Sequence, residues 1–173
     1  MSKYNKIYLL GFMGSGKSKA GALLAEKLDY HFIDLDLYIE NKYKKSINQV
    51  FNESGEKYFR VIESESLAEV SNLFNNYVVS TGGGVILSES NRELMKNSGT
   101  TIYLKADLET IWGRIKSDKS RPLLNVKDPK GEAGKLLTGR TQLYEKSDFT
   151  LKTDNFTAEQ VAEEVVKILK SSV

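Results

Sequence analysis

The stretch Gly11-Phe12-Met13-Gly14-Ser15-Gly16-Lys17-Ser18 constrains this chain more than any other feature. It matches the phosphate-loop pattern G-x-x-x-x-G-K-[ST] at every position, between an apolar run at residues 7–10 and an apolar-periodic stretch at 18–28. Strand, glycine loop and helix in that order turn backbone N–H groups inward onto phosphate oxygens and add the positive end of the new helix. Gly14, Ser15 and Gly16 supply that backbone, Lys17 brings a charge to the β- and γ-phosphates, and Ser18 offers a hydroxyl to magnesium. The bland alternative is a glycine-rich turn without a ligand, and the full match in its proper context weighs against it.

The rest of the chain alternates short β-rich runs with amphipathic helical stretches, the pattern of βα units around a mostly parallel sheet. Strands are expected at 7–10, 32–34, 77–80, 101–104 and 149–152, and helices at 18–28, 35–43, 56–74, 90–97, 107–115, 136–144 and at the end of the chain. Ser46 with Gln49, Ser90 with Glu93 and Thr157 with Gln160 have capping-box spacing, and Gly55 punctuates the chain before the long helix. Residues 116–132 hold both prolines and many charges, and so are expected to form a mobile lid. The whole chain, 1–173, is expected to be one domain, with 40% hydrophobic residues to fill its core.

A formal charge of +2 makes no general case for a nucleic-acid or membrane partner, so anion binding must be local. With no cysteine and one histidine, neither a disulfide framework nor a zinc cluster is available. The first residues lack a signal-peptide pattern and are too short for a membrane span, so a cytoplasmic enzyme is the expectation, and nothing demands more than a monomer. His31 and Trp112 read as structural.

Phosphoryl transfer needs little covalent help, so acceptor preference resides in residues that hold the acceptor hydroxyl in line with the γ-phosphate. Asp34 and Asp36 end the second strand, two apart, so an extended backbone would turn both carboxylates to one side, one toward magnesium and one toward a hydroxyl; the alternative is that both cap the next helix. Arg60 and Glu63 lie three apart on the long helix, either as a surface pair or as a guanidinium oriented to bind a carboxylate, with Arg140 as the opposing fork. Gly82, Gly83 and Gly84 end another strand and would let a small ligand approach main-chain donors closely. Arg121, before Pro122 in the expected lid, is either a solvated loop charge or an arginine finger supplied in cis.

Together these residues resemble the shikimate kinase family, from the phosphate loop to Arg140. The most specific stretches are Arg60-x-x-Glu63-x-x-x-Leu67 and Val78-Val79-Ser80-Thr81-Gly82-Gly83-Gly84-Val85-Ile86. The resemblance implies a nucleoside-monophosphate-kinase-like α/β fold, three layers around a five-stranded parallel sheet, with an acceptor-binding helical region at about 35–64. It implies ATP as donor with Mg2+, and shikimate phosphorylated at its 3-hydroxyl in aromatic amino-acid biosynthesis. Lys17 and Ser18 are similar to the family's phosphate and magnesium ligands, Asp34 to its water-mediated magnesium partner, and Asp36 to the residue holding the shikimate hydroxyls. Arg60 and Arg140 resemble the carboxylate-binding arginines, Gly82 to Gly84 the backbone donors to a hydroxyl, Arg121 the lid arginine and Arg114 the adenine-stacking arginine. The connection at 153–157 lacks the proline many relatives carry there, and adenine contacts in it stay unassigned. The rival readings are a kinase for another polyol acid such as gluconate, and a kinase relative that closes on ATP without transferring phosphate.

Overall fold

The structure, a computed structural model, describes residues 5–74 and 76–171. Its centre is a five-stranded sheet of β1 (Lys6–Leu10), β2 (His31–Asp34), β3 (Tyr77–Ser80), β4 (Thr100–Lys105) and β5 (Phe149–Lys152). The spatial order is β2-β3-β1-β4-β5 and every pairing is parallel. The central strand β1 is buried throughout and its side chains alternate between two cores. Ile7 and Leu9 face helices α1 (Lys17–Leu28) and α7 (Ala158–Ser171) through Leu24, Val161 and Val165. Tyr8 and Leu10 face the core built by α2 (Leu35–Tyr43), α3 (Ile47–Ser71), α4 (Glu89–Ser98), α5 (Leu108–Ile115) and α6 (Pro129–Tyr144). These are the three α/β/α layers expected above. Connections leave β1 toward β2 on one side and cross it toward β4 on the other, so the crevice beyond its carboxyl end is where such sheets place ligands.

Helix starts follow local chemistry. Ser46 and Gln49 form a reciprocal capping box at α3, and Thr157 and Gln160 exchange the same pair of bonds before α7. Gly55 sits inside α3 with φ 78° and ψ 171°, so the helix is kinked there rather than begun there.

Several expectations need correction. Helix α4 is capped by Ser88, whose Oγ accepts from the Asn91 N–H, and not by Ser90, whose hydroxyl pairs with that of Ser88. Phe74 lies beyond the end of α3 and is 96% exposed, so it is no part of the buried stripe. Helix α6 begins seven residues before the expected 136, because Asp128 caps it and Pro129 takes the first helical position, where a missing N–H costs nothing. In the segment before it, Pro122–Leu124 makes a 3-10 turn, Leu124 is buried in the core, and Asn48 of α3 donates to the Ser120 carbonyl at 3.0 Å. His31 rests against the Tyr77 ring and Trp112 packs on the core, both as structural residues. Among the described residues no helix is long and apolar enough to cross a membrane.

Candidate active site

The phosphate loop closes on itself as its sequence requires. Gly14 (φ 76°) and Gly16 (φ 92°) take left-handed conformations, and Gly16 immediately precedes α1. The Lys17 ammonium is buried and donates to the carbonyls of Gly11 at 2.8 Å and Phe12 at 2.9 Å, so it is held against its own loop in this state. Removal from water lowers its pKa to about 8, an effect that Arg121 and Arg140 reinforce and that Asp36 and Asp34 oppose.

Beyond the loop lies a cavity of about 530 Å³, with Gly14 to Ser18 along one wall and Asp34, Asp36, Arg114 and Arg121 around it. Arg114 reaches it from α5 by donating to the Gly14 carbonyl at 3.0 Å. Thr153, Phe156 and Thr157 line its far end, in the segment where the sequence offered no assignment. Ser18 donates its hydroxyl to the Asp34 carboxylate, with Ser80 Oγ 3.3 Å from Ser18 Oγ. Those oxygens are of the hard type that magnesium takes alongside water and phosphate.

The acidic pair meets at one site, but by a different geometry from the extended one expected. Asp34 ends β2 and caps α2, accepting from the N–H groups of Asp36 (3.1 Å) and Leu37 (3.2 Å). Asp36 lies in the first turn of the helix, and its carboxylate reaches the triple-glycine turn, where a Cβ on Gly82 would come within 3.0 Å of its Oδ1. Burial first, and the charge on Asp34 second, raise the Asp36 pKa. Only Asp34 is a helix cap, so the reading of both as mere caps fails.

A second cavity, about 80 Å³, holds Arg60, Glu63, Gly82 to Gly84 and Arg140. The Arg60 guanidinium pairs with Glu63 at 2.8 Å and Glu56 at 3.0 Å and lies against Gly84, where a Cβ would come within 2.4 Å of it and force it to move. Glu63 is 1% exposed, which excludes the surface-pair reading, and its Oε1 has no partner in the described structure. Burial raises its pKa while Arg60 pulls it down. Arg140 is buried, lies over the Phe12 ring at 5.8 Å and makes no ion pair with a carboxylate among the described residues. A buried guanidinium left without a carboxylate suits an anionic ligand. Met13, Asp36, Gly83 and Arg121 line both cavities, so the two meet at Asp36. Arg121 is held there by Asp118, 2.8 Å from its Nε.

Sequence reasoning missed Phe12, Phe156 and Tyr144. Tyr144 donates its hydroxyl to the Gly83 carbonyl from α6, one turn after Arg140, and that spacing was the only signal for it.

Comparison with known proteins places these features in a lineage. The family model for shikimate kinase matches residues 13–170. The shikimate kinase of Thermodesulfovibrio yellowstonii is 40% identical over 161 residues, 93% of this chain and 92% of that one, and that of Persephonella marina is 42% identical over 160, 92% and 96%. Among solved structures, shikimate kinase from Acinetobacter baumannii in complex with shikimate superposes with a TM-score of 0.95 at 36% identity, covering 98% of this chain and 94% of that one. Deoxyadenosine kinase from M. mycoides, with a TM-score of 0.59 and 19% identity over 95% of this chain and 99% of that one, shares the fold alone. With the family model matched across most of its length and relatives near 40% identity spanning nearly all of it, the chain belongs to the shikimate kinase family.

Proposed function

We propose that this protein transfers the γ-phosphoryl group of ATP to the 3-hydroxyl of shikimate, giving shikimate 3-phosphate and ADP in aromatic amino-acid biosynthesis. The observation that carries the reading is the shared wall: a nucleotide-sized cavity and a small cationic cavity meet at Asp36. The first takes ATP, its triphosphate along Gly14 to Ser18 and its base toward Arg114 and Phe156. The second takes the acceptor, with Arg60 and Arg140 on its carboxylate and the Gly82 to Gly84 backbone and Asp36 on its hydroxyls.

Asp36 holds the reacting hydroxyl and takes its proton, a role for which burial and Asp34 make the carboxylate more basic. Lys17 leaves the loop carbonyls for the phosphates, and Arg121 meets the same oxygens from the other side as charge builds on the transferring group. Ser18 and Asp34 are the residues that would hold Mg2+, which would supply neutralisation of the phosphate charge. The segment between α5 and α6, which carries Arg121, acts as a lid that brings it inward and excludes water.

ADP release by purified protein with ATP and Mg2+ tests this, comparing shikimate, gluconate and nucleoside monophosphates. Stimulation by shikimate alone is expected. Stimulation by gluconate instead would overturn the acceptor assignment, and ATP binding without any stimulated turnover would favour a non-catalytic relative.

A further inference from the structure

Three carbonyls line the triple-glycine turn, and each finds a different fate. Gly82 O accepts from the Val85 N–H at 3.1 Å and Gly84 O from the Leu87 N–H at 3.0 Å, as the following 3-10 turn dictates. Gly83 O has no backbone donor among the described residues, and the Tyr144 hydroxyl is its partner. That phenol is fully buried, stacked on the Tyr103 ring with centroids 4.9 Å apart and 17° between planes, and it interacts with the Arg140 guanidinium. Burial raises its pKa, so it stays a protonated donor at working pH.

The consequence follows from peptide geometry. No peptide bond here is cis, so the Gly84 N–H points opposite to the Gly83 C=O. The carbonyl points to Tyr144, which lies in the core, whereas Gly83 and Gly84 line the acceptor cavity. The Gly84 N–H is therefore directed away from Tyr144, in a residue that lines that cavity, and no hydrogen-bond acceptor for it is found among the described residues. The Gly83 backbone also lies against the phosphate loop, with a Cβ there 3.2 Å from Met13 N, so the orientation of this peptide is referred directly to the nucleotide side.

We propose that Tyr144 is a positioning residue that fixes the plane of the Gly83–Gly84 peptide, aiming the Gly84 N–H at the acceptor while its own helix presents Arg140. One side chain thus holds two acceptor-binding elements, from β3 and from α6, in register. This rests on the shikimate-phosphorylating reading above.

The test is Tyr144→Phe, which keeps the ring and its stacking and removes only the oxygen, beside Tyr103→Phe, which removes a hydroxyl from the other ring of the same stack. In Tyr144→Phe, KM for shikimate should rise about three- to tenfold, the scale of one hydrogen bond, while KM for ATP stays at the wild-type value. Tyr103→Phe should keep the wild-type KM for shikimate even if it loses as much thermal stability. A wild-type shikimate KM in Tyr144→Phe, or a parallel rise in both KM values, overturns the positioning role alone. Absence of shikimate-stimulated turnover in the unmodified protein overturns the reading beneath it.

Discussion

Gly84→Ala tests the acceptor clamp with the smallest possible perturbation. Gly84 has φ −98° and ψ 0°, a conformation alanine can adopt, so the effect is one of space. The new Cβ would lie 2.4 Å from Cζ, Nη1 and Nη2 of Arg60, more than 1 Å inside an ordinary contact of about 3.5–4.0 Å. Either the backbone or the guanidinium must give way. The backbone is tied by the Tyr144 bond at Gly83 and by Leu87 N–H at Gly84 O, whereas Arg60 is the far end of a flexible side chain that is 22% exposed. Arg60 moves.

Its departure leaves Glu63 buried with neither oxygen paired. The lost hydrogen bond to a buried carboxyl, whose pKa burial already raises, costs about 1–3 kcal/mol. At about 2–4 °C per kcal/mol for a domain of this size, Tm should fall by several degrees and the protein should remain folded. The acceptor, however, loses one charged fork, worth about 1.5–3 kcal/mol or about 10- to 150-fold in KM for shikimate. KM for ATP should hold, since Arg60 does not line the nucleotide cavity. Initial rates of ADP release at saturating ATP, with shikimate varied, measure this directly. A folded Gly84→Ala protein with the wild-type KM for shikimate would refute the assignment of Arg60 to the acceptor carboxylate.

Asp36→Asn should abolish nearly all turnover while leaving ATP binding intact. Because the folded-state pKa of Asp36 is raised, its stabilising contribution is full at low pH and lost as pH rises through that pKa, so the variant should unfold at a higher temperature than wild type at pH 7, with the gap closing in acid. Lys17→Met should be inactive, and it isolates a second titration. With the Lys17 pKa lowered to about 8 in the folded state from its ordinary 10.5, the unfolded chain binds more protons between those values, so wild-type stability should rise relative to the variant by about 2 kcal/mol from pH 7 to about pH 9.5. Urea unfolding of both proteins across that range checks it, and a flat difference would show that the ammonium is not desolvated as the geometry requires.

What the sequence made legible was what local chemistry enforces. The strands at Tyr77–Ser80 and Phe149–Lys152 and the helix Leu35–Tyr43 lie where pattern placed them, since apolar periodicity and turn residues agree there. Helix α6 was misjudged because Pro129 and its charged neighbours resemble a loop by composition, and only the Asp128 cap reveals Pro as a starter. In the site, the phosphate-loop residues and both arginines were legible because the motifs carry them. Asp34 and Asp36 do meet, but through a strand end followed by a helix turn, which period-2 reasoning does not describe. Tyr144 was illegible for a deeper reason: its partner is a backbone carbonyl, which has no letter in the sequence.

The same limit applies to the arginines, whose usefulness depends on what lies beneath them. Arg60 sits over the Phe59 ring at 5.2 Å and Arg140 over the Phe12 ring at 5.8 Å. A guanidinium held over an aromatic face gains a cation–π attraction while its planar fork can still meet a carboxylate bidentately. Lysine at either position would keep the charge and lose the fork, so it is no conservative replacement. Phe12 occupies one of the four unspecified positions of the phosphate-loop pattern, yet it is 1% exposed and supports the arginine of the neighbouring cavity. On the function proposed above, the loop that would cradle the donor's phosphates would therefore also support the acceptor clamp through Phe12.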